Sequence, residues 1–413
     1  MCYQNDLSAQ KIVTYLRNTV GGAPALTGCV YLPCGEDFVA HLLTALRNAE
    51  RYIFLEYFTI EKGVIWDEIA DILEQKAAQG VDVRIICDGY GSLRTLPRRF
   101  IATMAARGVR VRVFNPVRLH SILRFNIRDH RKIAAIDGTV ALCGGVNLSD
   151  RYANVEELFG HWKDAAVKVD GETARAIAEQ FAEMWAFLGK AKEEISPKGG
   201  LCPSKGRILT AIKSAETESL TFPTTAGSSA NLATTTIPVT SSPMADTPVA
   251  EHMFINMISG AGEYVYITTP YLTCGSGILS VLSAAAHSGV DVRIIVPFIA
   301  DKPVVKLAGE SYYSALLING VRLFEYTRGF IHAKIILADG KRAMVGSVNL
   351  DYRSLYLNHE NAVFVFGETV GDITRDVAET LSHCKEITLE DVARLSVLKR
   401  ALRRFCRLFA RFM

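Results

Sequence analysis

The apolar positions of this chain switch repeatedly between a period near two and a period near three and a half. Residues 52–58 form an apolar, aromatic run of strand length. Trp66, Ile69, Ile72 and Leu73 follow at helical spacing. Residues 81–87 are apolar and β-branched at alternate positions and stop at Asp88-Gly89. The pattern then predicts a helix over 96–107 and a strand over 109–114. The same succession returns later, with strands over 264–268, 290–297 and 321–325 and helices over 277–288 and 311–319. Strand–helix–strand units of this kind predict an α/β fold, a sheet with helices packed on it.

The return is a duplication. The heptapeptide beginning at Gly80 recurs residue for residue from Gly289. His130-Arg131-Lys132-Ile133 recurs as His332-Ala333-Lys334-Ile335, and Gly144-Gly145-Val146-Asn147-Leu148 as Gly346-Ser347-Val348-Asn349-Leu350. The offset stays between 202 (His130 to His332) and 212 (Gly108 to Gly320). Two halves of similar fold are expected, a first domain over 1–189 and a second over 237–390. Between them, residues 190–236 are rich in Ser, Thr, Ala, Gly and Pro, with Thr224-Thr225 and Thr234-Thr235-Thr236. This stretch reads as a linker.

Composition narrows the class. Of 413 residues 49% are hydrophobic and 22% charged, which is globular rather than disordered. A net charge of +3 gives no global field that calls for nucleic acid. The nine cysteines include no Cys-x-x-Cys pair, so reduced thiols, a cytoplasmic setting and no zinc site are expected. No apolar run is long enough to cross a bilayer, and the first ten residues lack a signal-peptide pattern.

The chemistry lies in the repeated pattern His-x-Lys-x4-Asp: His130, Lys132 and Asp137, then His332, Lys334 and Asp339. On a strand, positions i and i+2 face the same side, so each imidazole is presented beside an ammonium. Asp137-Gly138 and Asp339-Gly340 read as tight turns, after which the chain returns to a Gly-rich corner ending in Asn147 or Asn349. Phosphodiester transfer needs a group to attack phosphorus, a group to protonate the leaving alkoxide, and donors for the non-bridging oxygens. Two histidines whose environments differ can supply the first two. Lys132, Lys334, Asn147, Ser347 and Asn349 can bind the phosphate. No metal or other cofactor is required. An imidazole used this way needs a carboxylate on its other nitrogen. Asp164 and Glu360 follow the two motifs at similar distances and are the candidates, with Glu156 and Glu157 as competitors. His161 and His359 flank these acids and read as packing residues.

The duplicated motif with its Gly-Gly/Ser-x-Asn tail resembles the phospholipase D superfamily and, within it, the bacterial cardiolipin synthases. The resemblance covers nearly the whole chain, through the runs at 52–58, 128–132, 144–148, 160–164, 269–271, 329–334 and 346–354. It implies two phospholipase D-like domains, each a mixed β-sheet flanked by helices, with one active site between them. It implies a phosphatidyl-histidine formed from one phosphatidylglycerol with release of glycerol, then attack by the hydroxyl of a second to give cardiolipin. His130 and His332 are carried over as nucleophile and acid/base, with His130 attacking. Asp137 and Asp339 brace the motif. The chain departs from these relatives in two places. They commonly begin with two transmembrane helices, whereas the similarity here starts almost at Met1. The Ser/Thr-rich linker matches no family motif.

The tail supplies a route to lipid. Leu395, Leu398, Leu402, Phe405, Phe409 and Phe412 recur at spacings of three and four, with Lys399, Arg400, Arg403, Arg404, Arg407 and Arg411 between them. A basic amphipathic helix over 391–413 is expected to hold the protein on the cytoplasmic face of an anionic membrane, as a peripheral enzyme open to homo-oligomer formation. The rival readings are another phosphatidyltransferase of the superfamily such as a phosphatidylserine synthase, a phospholipase D or nuclease, and a non-catalytic lipid-binding module. The intact histidines and lysines count against the last.

Overall fold

In the computed structural model, which describes residues 4, 6–92, 95–116, 126–193 and 234–410, the duplicated pattern becomes two sheets built in the same order. The first runs Cys29–Leu32, Ala166–Asp170, Val140–Gly144, Lys132–Ile136, Tyr52–Tyr57, Asp82–Asp88, Arg110–Phe114. The second runs Ala25–Thr27, Thr234–Ser241, Asn358–Gly367, Arg342–Gly346, Ile335–Ala338, Tyr264–Thr268, Asp291–Pro297, Arg322–Tyr326, Cys384–Ile387. Each is mixed. The repeated heptapeptides become parallel strands beside Tyr52–Tyr57 and Tyr264–Thr268, and the motif hairpins pair antiparallel on the other side. Tyr52–Tyr57 is buried along its whole length, which is why it reads as a continuous apolar run rather than an alternation.

Three apolar clusters hold the molecule together. One lies outside the first sheet, under the helices Gly35–Arg47 and Val64–Ala78. One lies outside the second, under Leu7–Val20, Val249–Ser259 and Ser276–His287. The third is central. It joins Phe54, Ile133 and Val167 of the first sheet to Ile335, Val345 and Val363 of the second, with Phe181 and Ile373 from the helices Gly171–Glu193 and Thr369–Ser382.

Two boundaries need correcting. The helix Leu7–Val20 buries Ala9, Ile12, Val13 and Leu16 in the second-half cluster, and Ala25–Thr27 pairs with Thr234–Thr236. The opening segment therefore belongs to the second sheet rather than to a first domain starting at residue 1. The threonine run that marks the linker is itself strand: Thr234, Thr235 and Thr236 are buried and pair with Gly367, Phe366 and Val365. Low complexity hid a β-branched run that suits a pleated sheet. The rest of that stretch, including Thr224-Thr225, lies outside the described residues, as do Arg411 and Phe412. Among the described residues no helix is long and apolar enough to cross a membrane.

Candidate active site

Each motif opens a hairpin whose turn explains its aspartate. Asp137 and Gly138 have φ of 54° and 66°, and Asp339 and Gly340 have 56° and 61°. Two consecutive positive φ values make the I′ geometry that matches strand twist, and Asp-Gly tolerates it. Asp137 then accepts the backbone N–H groups of Glu50, Arg51 and Tyr52, each at 2.8 Å. Asp339 does the same for Gly262, Glu263 and Tyr264, at 3.0, 2.8 and 3.0 Å. In the first half the strand Lys132–Ile136, about 3.3 Å per residue, separates the turn from the histidine. Asp137 and Asp339 thus act as braces: their carboxylates are consumed in tying the hairpin to the neighbouring strand.

The histidines sit at the other end, and each is held by the opposite half. A short parallel pairing sets Arg128 and Asp129 beside Asn358 and His359, and the His130 N–H donates to the His359 carbonyl at 2.9 Å. The mirror pairing sets Gly329, Phe330 and Ile331 beside His161, Trp162 and Lys163, and the His332 N–H donates to the Lys163 carbonyl at 2.7 Å. The carboxylates are crossed in the same way. His130 Nδ1 lies 2.9 Å and 3.0 Å from the oxygens of Glu360, and His332 Nδ1 lies 2.6 Å from Asp164 Oδ2. Asp164 and Glu360 are fully buried, whereas Glu156 and Glu157 are exposed on a loop. With Nδ1 engaged on both rings, Nε2 is the free nitrogen on each.

Lys132 Nζ donates to the His130 carbonyl at 2.6 Å, and Lys334 Nζ donates to the His332 carbonyl. Lys334 Nζ also lies 2.7 Å from His332 Nδ1. That nitrogen cannot accept from the lysine while it donates to Asp164. A carboxylate can only accept, so the proton points to Asp164 and the lysine's acceptor is the carbonyl.

The charges form one field. Burial, then the charges of Lys132 and Lys334, hold His130 well below an ordinary imidazole. Burial and Lys334 bring His332 down to about 3, against the pull of Asp164. Burial lowers Lys132 to about 8 and Lys334 to about 7, and both lysines feel Glu360 and Asp164. The crossed carboxylates and the bond from the Lys132 N–H to Asn361 bring the two motifs against each other at the seam between the halves. The carboxylates differ. Burial would raise Asp164, but His332 and Lys334 hold it below its usual range; burial raises Glu360 to about 7.

The Gly-Gly and Gly-Ser corners now have separate reasons. A Cβ on Gly145 would come within 2.1 Å of Asp164 Oδ1. At the matching place in the second half, Ser347 donates its hydroxyl to Glu360. Ser347 is therefore a carboxylate anchor rather than the phosphate ligand expected of it. Asn147 Oδ1 accepts from the Thr59 N–H at 3.0 Å, and the buried Asn349 Oδ1 has no hydrogen-bond partner among the described residues.

The sequence family described as cardiolipin synthase, PLD-like domain, matches residues 42–185 and 254–384. The chain belongs to this family. An uncharacterised protein of Streptococcus mutans is 37% identical over 91% of this chain and 77% of its own length. A cardiolipin synthase of Halalkalibacterium halodurans is 36% identical over 93% of this chain and 72% of its own. Among solved structures, phosphatidylserine synthase of Haemophilus influenzae superposes with a TM-score of 0.69 over 98% of this chain and 97% of that one. At 14% identity it speaks for the fold alone.

Other residues of this family member's site escaped the sequence reading. Asn361 receives the Lys132 N–H at 3.0 Å and returns a bond to the Lys132 carbonyl at 3.2 Å, tying the first motif to the second half. Its signal was available: Asn358, His359, Glu360 and Asn361 are four polar residues opening an otherwise apolar strand. Tyr152 and Trp162 pack their rings 5.2 Å from that of His332, while Phe58 stands 5.1 Å from His130. His161 is exposed, and buried His359 packs edge-on to Phe114 at 5.2 Å.

The tail helix Val397–Arg407 turns out to be mounted in an unexpected sense. Arg403 pairs with Glu310 at 2.5 Å, Arg407 lies 4.1 Å over the ring of Tyr312, and Cys406 and Ala410 are buried. Leu398, Leu402, Phe405, Leu408 and Phe409 are exposed, as are Lys399, Arg400 and Arg404. Arg403 is therefore withdrawn from the expected lipid-facing set, while Arg407 stays exposed beside Tyr312. Glu310 and Tyr312 offer an ion pair and a cation–π face, so the helix seats its mixed side and leaves its apolar side outward.

Proposed function

We propose that this protein is a cardiolipin synthase that passes a phosphatidyl group from one phosphatidylglycerol to another through His130. One observation carries the reading: two imidazoles with crossed, buried carboxylates share a site with two ammoniums. Family membership favours this over a phosphatidylserine synthase, phospholipase D or nuclease.

The unequal carboxylates support a division of labour. Asp164 stays ionised and pulls against the burial and the Lys334 charge that keep His332 neutral in the empty site; an arriving phosphodiester anion adds to that pull and brings the second proton to His332 with the substrate. His130 stands beside Glu360, itself raised to about 7, and is depressed by four cations, so its Nε2 lone pair is kept free for attack. In the first step His332 acts as the imidazolium formed on substrate binding: His130 Nε2 bonds to phosphorus, the bond to the head-group glycerol breaks, and the departing oxygen takes the Nε2 proton of His332, whose Nδ1 proton stays on Asp164. In the second, an incoming hydroxyl loses its proton to His332 and its oxygen displaces His130. Lys132 and Lys334 offset the charge on the non-bridging oxygens throughout.

The tail supports docking from the membrane surface. Its helix rests on Pro303–Glu310, and that helix begins beside Asp301 and Lys302, whose charge acts on His130. Lys302 and the apolar tail helix thus share one support, the helix Pro303–Glu310.

The test is product analysis with phosphatidylglycerol vesicles. Cardiolipin and free glycerol in equal amounts are expected, with His130→Ala and His332→Ala each losing at least about a thousandfold in rate. Phosphatidic acid as the sole product makes the protein a hydrolase. Full activity in either variant removes that histidine from the mechanism.

A further inference from the structure

Cardiolipin formation brings together two lipids that each carry a phosphate, yet the motif residues provide for one. The second anion must be tolerated next to the first, so a cation outside the motifs is required somewhere beside His130.

The structure offers a matched set. Arg151 follows Asn147 by four residues, and Arg353 follows Asn349 by four. The duplication therefore sets one arginine on each flank. The two turns are built alike, through an isolated pairing of Ile60 with Leu148 in one half and of Leu272 with Leu350 in the other. Their arginines are not equivalent. Arg151 is spoken for by Glu61 at 3.2 Å, which Ser149 also holds at 2.6 Å. Arg353 has no carboxylate within ion-pair distance among the described residues; it donates a long bond, 3.4 Å, to the Asn126 carbonyl of the first half.

Lys302 completes the group from the other side. Its side chain is 60% exposed, and its ammonium lies 2.9 Å from the Tyr271 hydroxyl and 4.5 Å from that ring. Tyr271 is fixed by donating to Asp301 at 2.6 Å, and it immediately precedes the Leu272 that pairs with Leu350. Lys302 is thus carried to the turn that bears Arg353. Its own carboxylate, Asp301, stands off at 4.0 Å, the outer limit of an ion pair. Lys302 and Arg353 are also the two cations outside the motifs whose charge bears most on His130.

We propose that Lys302 and Arg353 form a second anion subsite that holds the phosphate of the acceptor lipid while its hydroxyl attacks the phosphatidyl group on His130. This rests on the cardiolipin synthase reading and adds the reason for its acceptor. A lipid with a phosphate and a free head-group hydroxyl is captured in preference to water or a neutral alcohol. The electron count is that of the second step above: the acceptor oxygen bonds to phosphorus, the bond from phosphorus to His130 breaks, and the acceptor proton passes to His332. The commitment is to a lipid phosphate, because Lys302 occupies the N-cap position of the helix on which the apolar tail helix rests.

The experiment reads how one intermediate is shared between acceptors. Full-length protein is given phosphatidylglycerol vesicles containing 1-butanol, and the ratio of cardiolipin to phosphatidylbutanol is measured. Lys302→Ala and Arg353→Ala should each lower that ratio about tenfold or more, with a raised apparent KM for phosphatidylglycerol as acceptor. Lys302→Arg should restore it to within a few-fold, which guards against a folding defect. An unchanged ratio overturns the subsite, as does an equal loss of both products. Soluble glycerol phosphate added to the vesicles should compete poorly; if it suppresses cardiolipin as well as phosphatidylglycerol supplies it, the site takes free phosphates and the lipid commitment is wrong. Wild-type protein that makes phosphatidylbutanol and no cardiolipin sinks the synthase reading itself, a result distinct from any change in the variants.

Discussion

At the scale of single residues, the informative fact is that two lysines are held near neutrality by burial. Lys334 is brought down to about 7 and Lys132 to about 8, so at mildly alkaline pH the empty site is short of protons. A bound phosphodiester anion favours the ammonium forms and raises both values. The sign follows: affinity is full below the free-site values and is lost as pH rises through the bound-state ones. Dimethyl phosphate, which does not titrate in this range, should therefore bind with net proton uptake near pH 8. Calorimetry in two buffers of different ionisation enthalpy reads that number directly. No uptake between pH 7 and 9 would mean that the lysines are already charged in the empty site. This behaviour was half legible from sequence. The spacing of His130 and Lys132 on a strand announces a cation beside an imidazole. It does not announce that Glu360 belongs to His130 and Asp164 to His332, because the crossing depends on strand pairings 168 residues (Lys163 to Ile331) and 230 residues (Arg128 to Asn358) apart in the chain. Nor does the spacing by itself separate a brace from a reactant; the resemblance alone implied that Asp137 and Asp339 brace. Asp137 recurs in the repeated pattern as faithfully as His130 does, and its bonds to Glu50, Arg51 and Tyr52 give the brace its physical form.

At the scale of elements, periodicity read well wherever one face or both faces of a strand or helix are buried, and poorly at both ends of the chain. The helix Leu7–Val20 has a serviceable apolar face, but nothing local says that its partners lie more than 200 residues away, at Met253 and Phe254. The tail helix has an unmistakable two-sided pattern, and the pattern does not say which side meets the protein. Convention would bury Leu398, Leu402 and Phe405 and leave the arginines in water. Here Glu310 reverses the choice by taking Arg403 into a largely buried pair, with side chains 14% and 11% exposed. The apolar face is left without protein cover among the described residues. If it enters the bilayer, Leu398→Glu and Phe405→Glu should each weaken binding to phosphatidylglycerol vesicles by about tenfold or more, since burying such a side chain contributes roughly 1.5–3 kcal/mol. Arg400→Gln should weaken it less, by on the order of 1 kcal/mol for the single charge lost, and its effect should fade in high salt, whereas the larger part of the Leu398→Glu and Phe405→Glu losses should persist there. Sedimentation with vesicles at low and high salt separates the two. Unchanged sedimentation of Phe405→Glu would assign the face to another contact.

At the scale of the whole molecule, the duplication suggests two domains that fold apart, and the contacts argue otherwise. The central cluster draws on both sheets, and each histidine strand is completed by a strand from the other half. Opening one half would expose Phe54, Val167, Val345 and Val363 together and would leave buried carboxylates without their imidazoles. Such losses are too large for the surviving half to bear in a protein of ordinary, marginal stability. The chain carries its own reporter for the question. All three tryptophans, Trp66, Trp162 and Trp185, lie in the first half, whereas helix is distributed over both. Urea unfolding followed by tryptophan fluorescence and by far-UV circular dichroism should therefore give coincident transitions. Two half-proteins joined by a linker would instead show fluorescence changing over one step of a two-step dichroism curve. That outcome would break the cross-half account of the site, because Asp164 could not orient His332 in a half that unfolds without it.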